Sequence, residues 1–262
     1  MHPIERLRYV ARSSGAAHQE LVVETAAGLA SLGFDPPGLV TACRRVLERH
    51  PLSGPLWWLA SRVLTADDPG AEAWVVAEDL ADDPTAARLA GALPDDATVC
   101  VLGWSELIAA ALPRRGDAVV LAVEDAGLGP RLRRADVEAV DVPMSGLGAA
   151  ASASDLVLLE ASALGPTGFM GAAGSRAMAA VAHHAGVPVW VVAGLGRPLP
   201  APVWQAVVAR SESCADRWSA ADELVPIDLA DLVVGPRGLE SADAAVRSAA
   251  CPVAPELLRS LR

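Results

Sequence analysis

Apolar positions change their spacing part-way along this chain of 262 residues. Over the early part they recur roughly every three to four positions, the period of a helix that buries one face. In IERLRYVA, Ile4, Leu7 and Val10 stand at that spacing. HQELVVETAAGLASLG continues it and closes on Gly33, a natural helix stop. PPGLVTACRRVLERHP starts at Pro36-Pro37 and ends before Pro51, and LWWLASRVL and AEAWVVAEDLADD follow, with proline and glycine between the segments. Trp57 and Trp58 are neighbours on one predicted helix and cannot both face one core, so the pattern predicts a contact surface beneath one of them.

From about residue 95 the pattern becomes short runs of branched apolar residues: TVCVL (98–102), AVVLAV (118–123), VEAVDV (137–142), DLVLLE (155–160), VPVWVVA (187–193) and DLVVG (231–235). Alanine-rich helical stretches such as SELIAAAL and AMAAVAHHAG lie between most of them. Continuous apolar runs alternating with helices predict a parallel sheet covered on both faces. The expected architecture is α/β, with an N-terminal helical domain over 1–93 and a Rossmann-like domain over 94–262. Ligands of such sheets sit beyond the carboxyl ends of the strands.

One of those ends is unusual. DLVLLEASALGPTGFMGAAGS (155–175) reads as a strand, then a loop carrying Gly165, Gly168, Gly171 and Gly174, then a helix beginning near Ser175. A strand, glycine loop and helix start together often hold an anion, because free amides and the helix dipole point at it. Gly168 and Gly174 are expected to hold positive φ or a close backbone approach. The candidate pocket residues are Gly103, Trp104 and Ser105 after the first strand, Glu124 and Asp125 after the second, Glu160 and Ser162 after the fourth. Thr167, Gly168, Gly174, Ser175 and Arg176 complete the set. Glu124, Asp125, Glu160, Ser162 and Arg176 have two readings. They could make an acid/base site or a pocket for an uncharged or cationic ligand. Alternatively Glu160 caps a strand end, Arg176 opens a solvent-exposed helix, and the glycines only turn the backbone.

Composition narrows the field. Hydrophobic residues make up 52% and mean hydropathy is +0.34, which excludes a disordered chain. No apolar run approaches the roughly 18 residues of a membrane span, and MHPIERLRYVARSSG lacks the apolar core of a secretory signal. The expected location is the cytoplasm. A net charge of −11 argues against a nucleic-acid partner, and the short cluster PRLRR, with Arg131 and Arg134, reads as a solvated helix start. Cys43, Cys100, Cys214 and Cys251 are dispersed without a CxxC pair and are expected as buried free thiols. His183-His184 are adjacent, a poor spacing for co-ligands, and suit the negative end of a helix. Nothing calls for a metal or a cofactor. All 21 basic side chains are arginine, which with abundant alanine points to GC-rich coding, as in high-GC bacteria.

Three segments carry a resemblance. DLVLLEASALGPTGFMGAAGSRAMAAVAHHAGVPVWVVAG (155–194) resembles the signature of the initiation factor 2B alpha/beta/delta family. There a strand runs into a Gly-Ala-Asp type triplet, an Asn-Lys-x-Gly-Thr loop, a helix and a Val-Pro-led strand. DELVPIDLADLVVGPRG (222–238) is similar to that family's closing segment, and HPLSGPLWWLASRVL (50–64) to its N-terminal helix start. The family includes isomerases of methylthioribose-1-phosphate and ribose-1,5-bisphosphate. The resemblance implies a helical domain followed by a Rossmann-like domain of the ribose-phosphate isomerase and coenzyme A transferase type. It also implies a homodimer and a sugar phosphate or nucleotide as ligand.

The family's isomerases use a cysteine after the first strand, an aspartate after the fourth and an Arg-Pro phosphate clamp after the second. Here Gly103 takes the cysteine's place, and Cys100 lies three residues too early, inside the strand. Ser162 replaces the aspartate in Glu160-Ala161-Ser162, Gly171-Ala172 replace Asn-Lys, and VEDAGLGP puts Glu124 and Asp125 where the clamp would be. The resemblance therefore implies an initiation factor 2B-like protein without catalytic residues, binding a ligand or acting as a regulator. The alternative is a divergent aldose-ketose isomerase of sugar phosphates with relocated acid/base groups. VPVWVVAGLGRPLPAPVWQAVV places Trp190 and Trp204 in one apolar run, and Trp204 is expected at a subunit contact.

Overall fold

Prolines and acidic caps set where the early helices begin. The computed structural model describes residues 18–32, 35–124, 127–212 and 218–258. The segment IERLRYVA, Gly33, Asp125 and Cys214 lie outside them. Helix α1 spans His18–Ala30 and α2 Pro36–Arg49, where the Asp35 side chain accepts from Gly38 N at 3.2 Å ahead of two prolines that have no N–H to satisfy. Helix α3 is Gly54–Thr65, and α4 (Pro69–Ala81) repeats the device with Asp68 accepting from Ala71 N. Helix α5 is Thr85–Ala92.

Helix α3 packs against α1, α2 and α4 and is buried all round, with Leu56, Trp57, Trp58, Leu59 and Val63 all in the core. A helix enclosed on every side can be apolar on every side. No contact surface lies beneath either tryptophan, contrary to the sequence expectation. Trp57 Nε1 donates to Pro51 O at 2.9 Å and Trp58 Nε1 to Ala250 O at 3.2 Å.

The main sheet contains β1 (Thr98–Leu102), β2 (Val119–Val123), β3 (Ala139–Val142), β4 (Leu156–Glu160), β7 (Val189–Val192), β9 (Leu232–Gly235) and β10 (Gly238–Glu240). Their order is β3-β2-β1-β4-β7-β9-β10, parallel throughout except for β10. The six strands expected from the apolar runs are all present. Within β1, Val99 and Val101 enter one core, with Leu89, Ile108 and Leu112. Cys100 and Leu102 enter another, with Leu159, Met178 and Ala182. Burial on both faces is why the run shows no polar alternation.

Flanking the sheet are α6 (Glu106–Arg115), α7 (Leu128–Arg134), α8 (Leu147–Ala153), α9 (Ser175–Ala185), α10 (Ala201–Glu212), α11 (Ala242–Arg247) and α12 (Pro255–Leu258). No described helix is long and apolar enough to cross a membrane. Strand order reverses between β1 and β4, so the crevice of a doubly wound sheet opens beyond their carboxyl ends.

The glycine-rich stretch is not a loop. Residues Ala163–Gly165 (β5) and Gly168–Ala172 (β6) form an antiparallel hairpin, and β6 pairs with β8 (Asp222–Pro226) in a second sheet of order β5-β6-β8. Its glycines clear space: a Cβ on Gly165 would lie 2.1 Å from the Trp204 ring, and one on Gly168 2.5 Å from Val225 O. Strand glycines commonly mark such close approaches.

Candidate functional site

At the end of β1 the chain turns at Gly103 (φ +63), whose N–H reaches Val123 O at 2.9 Å. Ser105 follows at the first position before α6; it is buried, and its side chain makes no cap bond. Glu160, arriving from β4, does that work instead. Its Oε2 accepts from Leu107 N at 2.8 Å and Ile108 N at 3.3 Å, a negative charge on the positive end of a helix. Its Oε1 lies 2.9 Å from Arg197 Nη1, and those side chains are 8% and 5% exposed. Arg197 also donates to Ala161 O at 2.6 Å, and its Nη2 lies 4.0 Å from Glu106 Oε2. Removing one partner from such a buried pair typically costs about 3–5 kcal/mol.

The start of α9 repeats the arrangement. Gly174 (φ +100) and Arg176 direct their amides at Glu223 Oε1, at 2.8 and 2.9 Å. Ser175 is buried between them, and the Arg176 side chain is exposed. On the segment after β7, Asp83 Oδ2 takes Leu195 N at 2.8 Å. Carboxylates of the chain itself therefore occupy three sets of amides at the sheet's carboxyl end.

The other expected residues divide. Ser162 donates its N–H to Met170 O at 2.8 Å, and its own carbonyl accepts from Gly54 N at 2.8 Å. A Cβ on Gly54 would come within 2.9 Å of that carbonyl and 3.0 Å of Arg197 Cα, so the start of α3 is pressed against the end of β4. Glu124 is exposed at φ +53, with its N–H on Val142 O at 3.0 Å. Trp104 is 44% exposed, with the Arg131 guanidinium 5.5 Å from its ring centroid. Thr167 and Gly168 belong to the hairpin: Thr167 Oγ1 accepts from Trp204 Nε1 at 2.9 Å. Trp204 itself is only 2% exposed, enclosed by its own chain over Gly165, so it is a core residue and not a subunit contact.

Burial pushes the thiols of Cys43, Cys100 and Cys251 up to about 12, and Cys100 stays within β1. Arg133 of PRLRR pairs with Asp141 at 2.8 Å, and His183 and His184 lie exposed in the last turn of α9. Among the described residues no cluster of His, Cys, Asp and Glu could hold a metal.

Arg197, Glu106, Glu223 and Asp83 were not foreseen from the sequence. Arg197 does leave a signal: in AGLGRPLP it is a lone charge in an apolar segment, and a charge buried there requires a partner.

Fold and site together define a class: a doubly wound α/β protein under a helical layer, with amides at its mouth held by internal carboxylates. Solved structures share its fold. The chain is similar to the Pyrococcus horikoshii OT3 translation initiation factor eIF-2B at 14% identity and a TM-score of 0.78, over 93% of this chain and 98% of that one. It is similar to eIF2B beta from Chaetomium thermophilum at 13% identity and 0.71, over 93% and 89%. It is also similar to a chain of the tetrameric eIF2B-beta2-delta2 complex of C. thermophilum, at 16% identity and 0.71, over 94% and 92%. No family profile and no curated protein sequence matches it. The chain has the fold of the initiation factor 2B subunits.

Proposed function

We propose that this chain is a divergent member of the initiation factor 2B family that binds a ligand or regulates a partner without catalysis. The observation that carries the reading is the employment of Glu160. Aldose-ketose isomerisation needs a positioned acid and base and a held phosphate. The Glu160 carboxylate is engaged by Arg197 and the amides of α6, and the Glu223 carboxylate by the amides of α9. Cys100, the cysteine nearest the crevice in sequence, has its thiol held at about 12 and is no nucleophile at neutral pH.

The rival reading, an isomerase with relocated groups, rests on Glu124, an exposed carboxylate in a left-handed backbone beside Gly103. One assay separates the two. Purified protein incubated with ribose-1,5-bisphosphate or methylthioribose-1-phosphate should give no ketose product above a buffer control. Turnover that Glu124→Gln abolishes would reverse the ranking.

We further propose a cytoplasmic homodimer with domains over 1–93 and 94–262. The tetrameric assembly of one structural neighbour supports pairing through this fold. Sedimentation velocity at micromolar concentration should report twice the chain mass of 26.9 kDa, and a monomer would end the proposal.

A further inference from the structure

Two side chains that reach solvent, Trp104 and Glu124, stand on adjacent strand ends. The register pairing Leu102 with Val123 sets Gly103 beside Glu124, and Trp104 follows Gly103 with 44% of its surface exposed. Glu124 holds φ +53, a conformation unfavourable for any residue with a Cβ, and keeps its carboxylate in solvent. Arg131 from α7 supports the Trp104 ring at 5.5 Å. Nearby, Leu102, Met144 and Leu147 close around Gly174, each within 3.5 Å of where its Cβ would be, and Met144 is 40% exposed.

An exposed indole offers a face to a planar ring, an interaction that tolerates any base. In doubly wound sheets, the glycine after the first strand and an acidic residue about 20 positions later receive a nucleotide, the carboxylate accepting from the ribose hydroxyls. Gly103 and Glu124 occupy those two places in this fold. On the same plan the phosphate lies at the start of the first crossover helix. Here that position is closed, because Glu160 holds the amides of Leu107 and Ile108. The start of α9 offers no substitute, since Glu223 holds Gly174 N and Arg176 N.

We infer that the mouth over β1 and β2 binds a nucleoside without phosphate. The base stacks on Trp104 and the ribose diol donates to Glu124. The internal carboxylates at α6 and α9 disfavour the phosphorylated form, since the amides that would hold a phosphate are already bonded. The inference rests on the ligand-binding reading and specifies its ligand.

The test is isothermal titration of the full chain with adenosine, guanosine, AMP and ribose 5-phosphate in separate runs. At least one nucleoside should bind, and AMP should bind at least about tenfold more weakly than adenosine. Trp104→Ala and Glu124→Gln should each weaken the nucleoside by about tenfold or more, and Glu124→Gln, whose side chain is exposed, should leave the melting temperature unchanged. Two results overturn the inference: no heat with either nucleoside at millimolar concentration, or AMP binding as tightly as adenosine. A preference for AMP or ribose 5-phosphate without turnover refutes the nucleoside and spares the non-catalytic reading. Turnover of a sugar phosphate refutes the non-catalytic reading itself.

Discussion

Glu160, Glu223 and Asp83 each turn a carboxylate onto backbone amides. Asp222, one residue from Glu223, is placed differently. It begins β8 opposite Ala172, and burial raises its pKa above the ordinary 3.8. A carboxyl that holds its proton more tightly when folded favours folding at low pH. That contribution is complete below the unfolded value and is lost as pH rises through the folded one. Asp222→Asn keeps the shape and cannot ionise. It should melt higher than the native chain at pH 7, with the difference closing as pH falls below about 4. Equal melting curves at both pH values would mean that the native carboxylate is not penalised by burial.

Elements with one strong period were legible from residues alone; those built on close approach were not. The runs around β1, β2, β4, β7 and β9 are apolar because both faces of the sheet are covered, and no other element type of that length fits them. The β5–β6 hairpin is the counterexample. Gly165, Gly168 and Gly171 look like loop residues, yet each is needed because another group occupies the space of its Cβ. That need arises from Trp204, Val225 and Ser175, of which only Ser175 is local. The Glu160–Arg197 pair escaped notice for the same reason: partners far apart in sequence leave no periodic trace. Gly165→Ala should therefore destabilise by about 1–3 kcal/mol, because Trp204 is buried and its indole N–H bonded, so the ring cannot yield. Gly148→Ala, in α8 with nothing within 4 Å of its added Cβ, should stabilise by up to about 1 kcal/mol. Urea melts of the two variants should move in opposite directions; movement together would show that the hairpin accommodates the methyl.

At the scale of the whole molecule, the proposed boundary at residue 94 divides architecture and not cores. Leu56, Trp57 and Val63 share one apolar cluster with Met170, Trp204 and Leu257. Ala86 and Leu89, also before the boundary, lie in the sheet's own cluster with Val99 and Leu112. Hydrogen bonds cross it as well, from Gly54 N to Ser162 O and from Leu195 N to Asp83 Oδ2, both at 2.8 Å. Unfolding either part alone would expose large apolar surface of the other, a penalty of roughly 25 cal/mol per Å². Chains of more than one domain usually unfold in separate steps. This one is expected to unfold in a single step, because its parts share two apolar clusters. Tryptophan fluorescence, to which Trp57, Trp58 and Trp204 of the shared core contribute, should give the same urea midpoint as far-UV circular dichroism. Two midpoints, with the fluorescence change leading, would show that the helical layer detaches first and that the shared core is weaker than its burial implies.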